Sequence, residues 1–264
     1  MFFFVMIRRP PRSTLFPDTT LFRSRKQPRG RAIELVRIDR GNRVLLAGDE
    51  GVARIYKFKT PVDKGAFIQG NRRAPISIEV ENFDTNLGQG FIKGTTTHQR
   101  WVATTHAAAS GGAGLTVADA GMKHDTDYQS YDPTVDAPKL DYIVKFSKPG
   151  TYYIWVRGRG GDDDNSVHVG LDGRMVRSGE NIHFGDDGSA DWVWSHINRD
   201  GRAAKLVIDS VGEHTINLWM REDGVSIDKL MLSADPTFDP AEINGGLGSP
   251  QTSRAAVSAG AVEK

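Results

Sequence analysis

Cysteine is absent from this chain, so it has neither a disulfide framework nor thiol chemistry to draw on. That absence does not exclude secretion, because many bacterial extracellular domains carry no cysteine. No run approaches the roughly 20 consecutive apolar residues that a membrane span requires. Heptads, internal repeats and long helical patterns are missing too. The sequence contains no His-Glu-x-x-His, no Gly-x-Ser-x-Gly and no phosphate-loop pattern, which leaves zinc-protease, serine-hydrolase and nucleotide chemistry without a motif. The seven histidines show no metal-ligand spacing. A carboxylate pair for glycoside hydrolysis is nominated by no motif either, so the sequence points to no catalytic residue.

The first residues need separate treatment. Met6-Ile7-Arg8-Arg9-Pro10-Pro11-Arg12-Ser13-Thr14-Leu15-Phe16-Pro17 back-translates codon by codon into a string that resembles a short-read sequencing adapter. Thr19-Thr20-Leu21-Phe22-Arg23-Ser24 fits the end of the same adapter, and Asp18 needs one base change from the expected tyrosine codon. The rival is a signal peptide. Phe2 to Met6 supplies only five apolar residues, against roughly 7–15 for a signal h-region, and the charges lie on the wrong side. Residues 1–24 are therefore set aside as translated adapter, the true start is not visible, and a fragment of a longer protein is expected.

Charge of one sign is unevenly spread. Residues 25–73 hold 13 basic and 5 acidic side chains, whereas residues 74–264 hold 17 and 27. An acidic main body argues against nucleic acid, which selects basic patches, and suits neutral ligands or metal cations. Residues 25–73 offer three strand-like runs, at 32–38, 43–46 and 52–58, too few for a sizeable core. They read as a β remnant of an upstream domain, with a linker at 64–75.

What is abundant is alternation. Tyr142, Val144 and Phe146 alternate with Asp141, Ile143 and Lys145; Tyr152, Ile154 and Val156 follow the Pro149-Gly150 turn; Val167, Val169 and Leu171 end at Asp172-Gly173; Ile216, Leu218 and Met220 share one face. A period of two marks half-buried antiparallel strands, and many short strands between Gly, Pro and Asp turns mark a sandwich or jelly roll. After Asp235-Pro236 the Gly/Ser/Ala-rich composition predicts a flexible tail or linker over 236–264.

The order of these pieces carries a resemblance. Ile78-Glu79-Val80-Glu81-Asn82-Phe83 resembles the opening strand of carbohydrate-binding modules of families six and thirty-five. Leu140-Asp141-Tyr142-Ile143-Val144-Lys145-Phe146 and Gly150-Thr151-Tyr152-Tyr153-Ile154-Trp155-Val156-Arg157 resemble their central hairpin. Ser166 to Gly173, Gly212 to Leu218 and Ile227 to Leu232 are similar to their later strands. The resemblance spans residues 76–235. It implies an all-β, antiparallel jelly roll of galactose-binding-like type over 74–235, with a short N-terminal β appendage. It further implies a non-catalytic module binding polysaccharide or oligosaccharide, as the C-terminal part of a secreted bacterial polysaccharide-degrading enzyme. Such a module works outside the cell, at the cell surface or in the periplasm, as a monomer, without nucleic acid or membrane partners. The alternative is an extracellular structural or interaction β-sandwich that binds no sugar; an enzyme in its own right would need a cleft with two carboxylates.

Two candidate sites follow. Glu79 and Glu81, read as i and i+2 of one strand, place two carboxylates side by side, which repel unless a cation or arginine neutralises them; a solvated edge-strand face is the plainer reading. The resemblance implies that this pair, with Asp228, holds a structural calcium. A sugar site needs an aromatic platform with polar groups at its rim. The candidates are Trp101, Tyr128, Tyr131 and Trp192, with Asp223 and Ser226 reaching sugar hydroxyls. The family's stacking tryptophan matches the stretch Asp191-Trp192-Val193-Trp194, here spaced W-x-W rather than W-x-x-W. Trp192, following the loop at 185–188, is expected outside and Trp194 in the core. Trp155 and Trp219, each in Trp-x-Arg, either pave a second site or pack one sandwich face. Asp162-Asp163-Asp164 and His124 to Asp127 read as solvated loops.

Overall fold

The computed structural model describes residues 64–71, 74–88, 99–118, 137–161, 165–185 and 191–256, together with the backbone of five strands earlier in the chain. Met1–Val62 and Asp63–Lys264 form two compact units. In the first, β1 (Phe2–Phe3) pairs antiparallel with β2 (Ser24–Arg25), while β3 (Ile33–Ile38), β4 (Arg43–Gly48) and β5 (Ala53–Lys57) make an antiparallel meander. These last three are the strands expected from the sequence.

The second unit contains β6 (Phe67–Ile68), β7 (Ile76–Glu79), β8 (Thr85–Leu87), β9 (Val102–Thr105), β10 (Ala113–Thr116), β11 (Lys139–Phe146) and β12 (Gly150–Arg159). It continues with β13 (Ser166–Leu171), β14 (Arg174–Met175), β15 (Ile182–His183), β16 (Val193–Ser195), β17 (Lys205–Ile208), β18 (Gly212–Met220) and β19 (Ser226–Ser233). Among the described residues there is no α-helix, only short 3₁₀ turns. The first sheet runs β16-β12-β19-β10-β9, with β17 also on β12 and β7 on β19; the second runs β14-β13-β18-β11-β6, with β15 on β13 and β8 on β11. Every pairing is antiparallel except that of β6 with β11. The all-β, jelly-roll sandwich expected from the alternation is thus the observed architecture.

The inward faces explain the pairing. Leu140, Tyr142, Val144 and Phe146 of β11 and Ile216, Leu218 and Met220 of β18 meet Tyr152, Ile154 and Val156 of β12 and Ile227, Leu230 and Leu232 of β19. Each such side chain, removed from water, stabilises by about 1.5–3 kcal/mol. The Asp172-Gly173 turn joins β13 to β14 with both residues at positive φ, 51° and 76°. That is the geometry whose twist suits a two-residue hairpin, and it selects Asp-Gly.

β19 breaks the period of two. Ile227 and Leu230 are three residues apart yet both inward, because the ladder with β12 shifts between Arg157 and Gly158. One extra residue in β19, Asp228, makes a bulge. It sets Asp228 and Lys229 side by side, 0% and 1% exposed, where strict alternation would have sent one of them outward.

Three boundaries differ from the sequence reading. The stretch 64–75 is not a plain linker: Phe67 is 0% exposed in the core, and Gln69 bonds Tyr152 Oη and the Ser147 backbone N–H. The sandwich therefore begins before residue 74. Residues 236–256 are not a free tail. Thr252 N–H donates to Ser77 O, Ile68 N–H to Ser253 O and Ala255 N–H to Ala66 O, and Arg254 stacks 3.8 Å from the Phe67 ring centroid while pairing with Asp84. A Gly/Ser-rich composition served close backbone approach here, not flexibility. Finally, the opening strand stops at Glu79, and Val80–Asn82 is a 3₁₀ turn. Glu79 and Glu81 accordingly do not share one strand face.

Candidate functional site

The outer face of the first sheet collects the chemistry. On β12, Val156 and Gly158 face inward or lie close to Phe184, so Trp155, Arg157 and Arg159 point out. Cross-strand pairing sets Trp194 of β16 opposite Arg157, and Trp155 stacks on His196 with ring centroids 3.8 Å apart. Trp192 joins this row. The Arg157 and Arg159 guanidinium carbons lie 5.6 and 5.3 Å from its ring centroid, within cation–π range. Its Nε1–H donates to His106 Nδ1 at 3.0 Å, and the His106 ring meets it edge-on at 5.7 Å. Gly114 lets the indole lie low: a Cβ there would come 3.4 Å from the Trp192 ring and 2.7 Å from Ile227 O. Trp192, His106 and Arg159 are each half-buried. The result is a fixed aromatic plate, with two guanidiniums over its ring and its N–H held by His106.

W-x-W thus puts both tryptophans on one face, but it is the outer face. Trp194 is not a core residue, contrary to expectation. It lies half-buried under the C-terminal segment, its Nε1–H donating to Gly246 O at 2.8 Å, with Gly248 so close that a Cβ would reach 2.9 Å from the ring.

The other expected sugar ligands are not brought here. Trp101 is 2% exposed within the core, its Nε1–H donating to Pro138 O; the bulk that suggested a platform fills the sandwich instead. Asp223 is 2% exposed and accepts from Gln99 Nε2. Ser226 is 7% exposed, its hydroxyl donating to Thr116 Oγ1. Both close the rim of the sandwich rather than present groups to solvent. Trp155 and Trp219 sit on different sheets, and Trp219 is 0% exposed against Gly170, so they do not pave one surface. Tyr128, Tyr131, His124 to Asp127 and Asp162 to Asp164 lie outside the described residues. His106, Arg157 and Arg159 were missed as ligand candidates. The readable signal was Arg-x-Arg alternating with inward Val156 and Gly158.

The carboxylate cluster sits beside this plate, built by the β19 bulge. Asp228 Oδ1 accepts from Ser110 N–H at 2.9 Å, and its Oδ2 pairs with Arg157. Glu79 Oε1 accepts from Ser110 Oγ at 2.9 Å and from Lys229 Nζ at 2.8 Å. The buried Lys229 ammonium also donates to Leu247 O and Ser249 O, which saturates its three protons. Burial raises the Glu81 carboxyl above its usual range, with the charges of Glu79 and Asp228 adding to the effect; burial raises Asp228 as well, against Arg157 and Ser110. Glu79 Oε2 and Glu81 Oε2 are buried without hydrogen-bond partners. Both Asp228 oxygens thus have partners, one from the backbone and one from a guanidinium. Among the described residues no three His, Cys, Asp or Glu side chains converge to hold one ion. No helix among them is long and apolar enough to cross a membrane.

The family model described as glycosyl hydrolase family 115 C-terminal domain matches residues 67–239. A Formosa agariphila protein designated P23 is 33% identical over 111 residues, which is 39% of this chain but only 27% of that protein. A family 35 carbohydrate-binding module from Clostridium thermocellum aligns over 61% of this chain and 99% of its own, at 14% identity and a TM-score of 0.39. A family 36 module in complex with calcium and xylotriose aligns over 60% and 98%, at 18% identity and a TM-score of 0.34.

Proposed function

The chain belongs to the family of glycosyl hydrolase family 115 C-terminal domains, and from that premise we propose that it is a non-catalytic module that binds polysaccharide. The observation that carries this is the Trp192 plate. A pyranose ring offers an apolar face to an indole and hydroxyls to groups at its edge, and here the indole is held on the outer face of a sheet by the hydrogen bond to His106. A plate fixed before the ligand arrives loses little entropy on binding. Trp192→Ala should abolish retention by polysaccharide in affinity electrophoresis while the protein still unfolds in one cooperative transition. Undiminished retention would refute the plate as the site.

The rest of the reading follows from this role. The module is the C-terminal part of a longer, secreted polysaccharide-degrading enzyme of bacterial origin. It acts as a monomer, in extracellular or periplasmic space, and keeps the catalytic part near its substrate by raising effective concentration.

The reading includes calcium. Glu79 Oε2 and Glu81 Oε2 are buried without hydrogen-bond partners, and burial raises the Glu81 carboxyl, with the charges of Glu79 and Asp228 adding to it; a cation beside them would satisfy both oxygens. Calcium takes 6–8 oxygen ligands, carboxylates and carbonyls among them. Glu79 and Glu81 would hold it, while Asp228 stays with Arg157 and contributes charge from the adjacent position. The ion would be structural, tying the Val80–Asn82 turn to the bulge.

A further inference from the structure

We propose that His214 is a pH-sensitive latch at one end of the sandwich: as an imidazolium it ties the β17–β18 loop to the β13–β14 turn, and on losing its proton it lets the loop go.

The reasoning is an account of donors and acceptors. His214 lies on β18 in phase with the inward Ile216, Leu218 and Met220, so its ring closes the end of the core. It meets the Phe146 ring edge-on at 5.8 Å, and its side chain is 11% exposed. Nδ1 lies 2.8 Å from Asp172 Oδ2 in the turn after β13, and Nε2 lies 3.2 Å from Ser210 O in the loop before β18. A carboxylate oxygen and a carbonyl only accept. Each ring nitrogen therefore needs its own proton, and only the imidazolium carries two. The neutral ring must turn a lone pair on one of these oxygens. Ser210 Oγ, 3.4 Å from Nε2, does not replace the lost donor, because it donates to Asp209 Oδ1 at 3.0 Å. Ser210, His214 and Asp172 have the composition of a nucleophilic triad, but a triad needs Nε2 as an acceptor; here Nε2 is placed to donate.

The surroundings favour the proton. Asp172 is fixed against β18: its Oδ1 accepts from Thr215 N–H at 2.8 Å, and its own N–H donates to Thr215 O. The hydrogen bond to Asp172 holds the His214 imidazole above its usual range; partial burial opposes this, while Ser210 O and the charges of Asp172 and Asp209 add to it. From β11 come only Val144, opposite His214, and Phe146; Lys145 and its cross-strand partner Glu213 stand on the other face of the strands. Among the described residues, no other hydrogen bond ties 209–211 to the rest of the sandwich. One proton thus decides whether this loop is anchored, in the pH range where histidine titrates.

The test uses the full chain. NMR titration of the assigned His214 ring is run on wild type and on Asp172→Asn, which keeps an acceptor for Thr215 N–H. Wild type should titrate above an ordinary histidine, and Asp172→Asn should move back toward it. Melting of wild type and His214→Gln is compared from about pH 5.5 to about pH 9, which brackets an ordinary histidine. A raised folded-state pKa gives stabilisation that is whole below the unfolded value and lost as pH rises through the folded one. Wild type should therefore melt above His214→Gln at the acid end and lose that advantage at the alkaline end. Cleavage within 208–212, normalised to an unfolded substrate at each pH, should rise about three- to tenfold in wild type over the same interval, the equivalent of one charged hydrogen bond partly open to water, and stay level in His214→Gln. A wild-type titration at or below the ordinary histidine value, a melting advantage that does not change with pH, or a raised titration that survives Asp172→Asn overturns the latch. Should His214→Gln fail to fold, the two titrations decide alone.

Discussion

Trp194→Ala gives the sharpest test of how the outer face is divided between structure and recognition. Its indole is capped by the C-terminal segment, with a hydrogen bond to Gly246 O and the Gly248 backbone packed on the ring. Truncating a fully buried tryptophan costs about 3–5 kcal/mol. Trp194 is half-buried, so about 2 kcal/mol is the share expected from packing, and the lost hydrogen bond adds about 1 kcal/mol. For a unit of this size about 3 kcal/mol lowers the unfolding midpoint by roughly 6–12 °C. Differential scanning calorimetry measures the midpoint. Limited proteolysis should show new cleavage within 240–256, because the strap has lost its anchor. Polysaccharide retention per folded molecule should persist. A change within about 0.5 kcal/mol, ordinary for a surface substitution, with no new cleavage, would refute the claim that Trp194 holds the strap. Loss of retention in a protein that stays folded would show that the platform extends beyond Trp192.

Three further outcomes are expected. Calcium at a hundredfold excess over its Kd should stabilise by about 2.7 kcal/mol, and Glu81→Gln should abolish that response; identical melting with calcium and with chelator would remove the metal assignment. The pH dependence has a defined sign: burial lifts Glu81 above 4.5, so the folded state binds its proton more tightly than the unfolded chain. Without calcium, the wild type should then lose stability relative to Glu81→Gln as pH rises from about 4.5 through the raised pKa, and should keep that deficit above it. A relative gain over that window would show that Lys229 already satisfies the carboxyl. Deleting residues 1–24 should leave the melting of the sandwich unchanged, because its described core begins at Phe67; a lowered midpoint would count against reading that stretch as translated adapter.

Most of the sandwich was legible because its strands obey a period of two. Where the period failed, so did the reading. The β19 bulge is invisible to a pattern of alternation, since Ile227 and Leu230 look out of phase until β12 supplies the shifted partner. The strap at 236–256 was misread for a related reason. Loops and straps share a composition of Gly, Ser and Asn, and only the hydrogen-bond partners waiting on Ser77, Lys229 and Trp194 distinguish them. Those partners are at least 18 residues away in sequence, the nearest being Lys229 to Leu247.

The sites fared differently, and for a physical reason. Sequence identifies which residue types could do a job but not which face they occupy. Trp101 and Trp192 look equally eligible; one fills the core and the other lies on the sheet, because Gly114 clears the space for its ring. Glu79, Glu81 and Asp228 lie close enough for the charges of Glu79 and Asp228 to act on Glu81, yet Arg157 and Lys229, which share their charge, went unnoticed as members of the group. Those two cations link the places where function is proposed. Arg157 pairs with Asp228 on one side and faces the Trp192 ring on the other. If calcium holds Glu79 and Glu81, it fixes the bulge that positions Asp228, and Asp228 in turn aims Arg157 at the plate. On this geometry the metal never needs to touch the sugar to matter for binding: loss of calcium should weaken retention by loosening Arg157, and Asp228→Asn should do the same with calcium still bound.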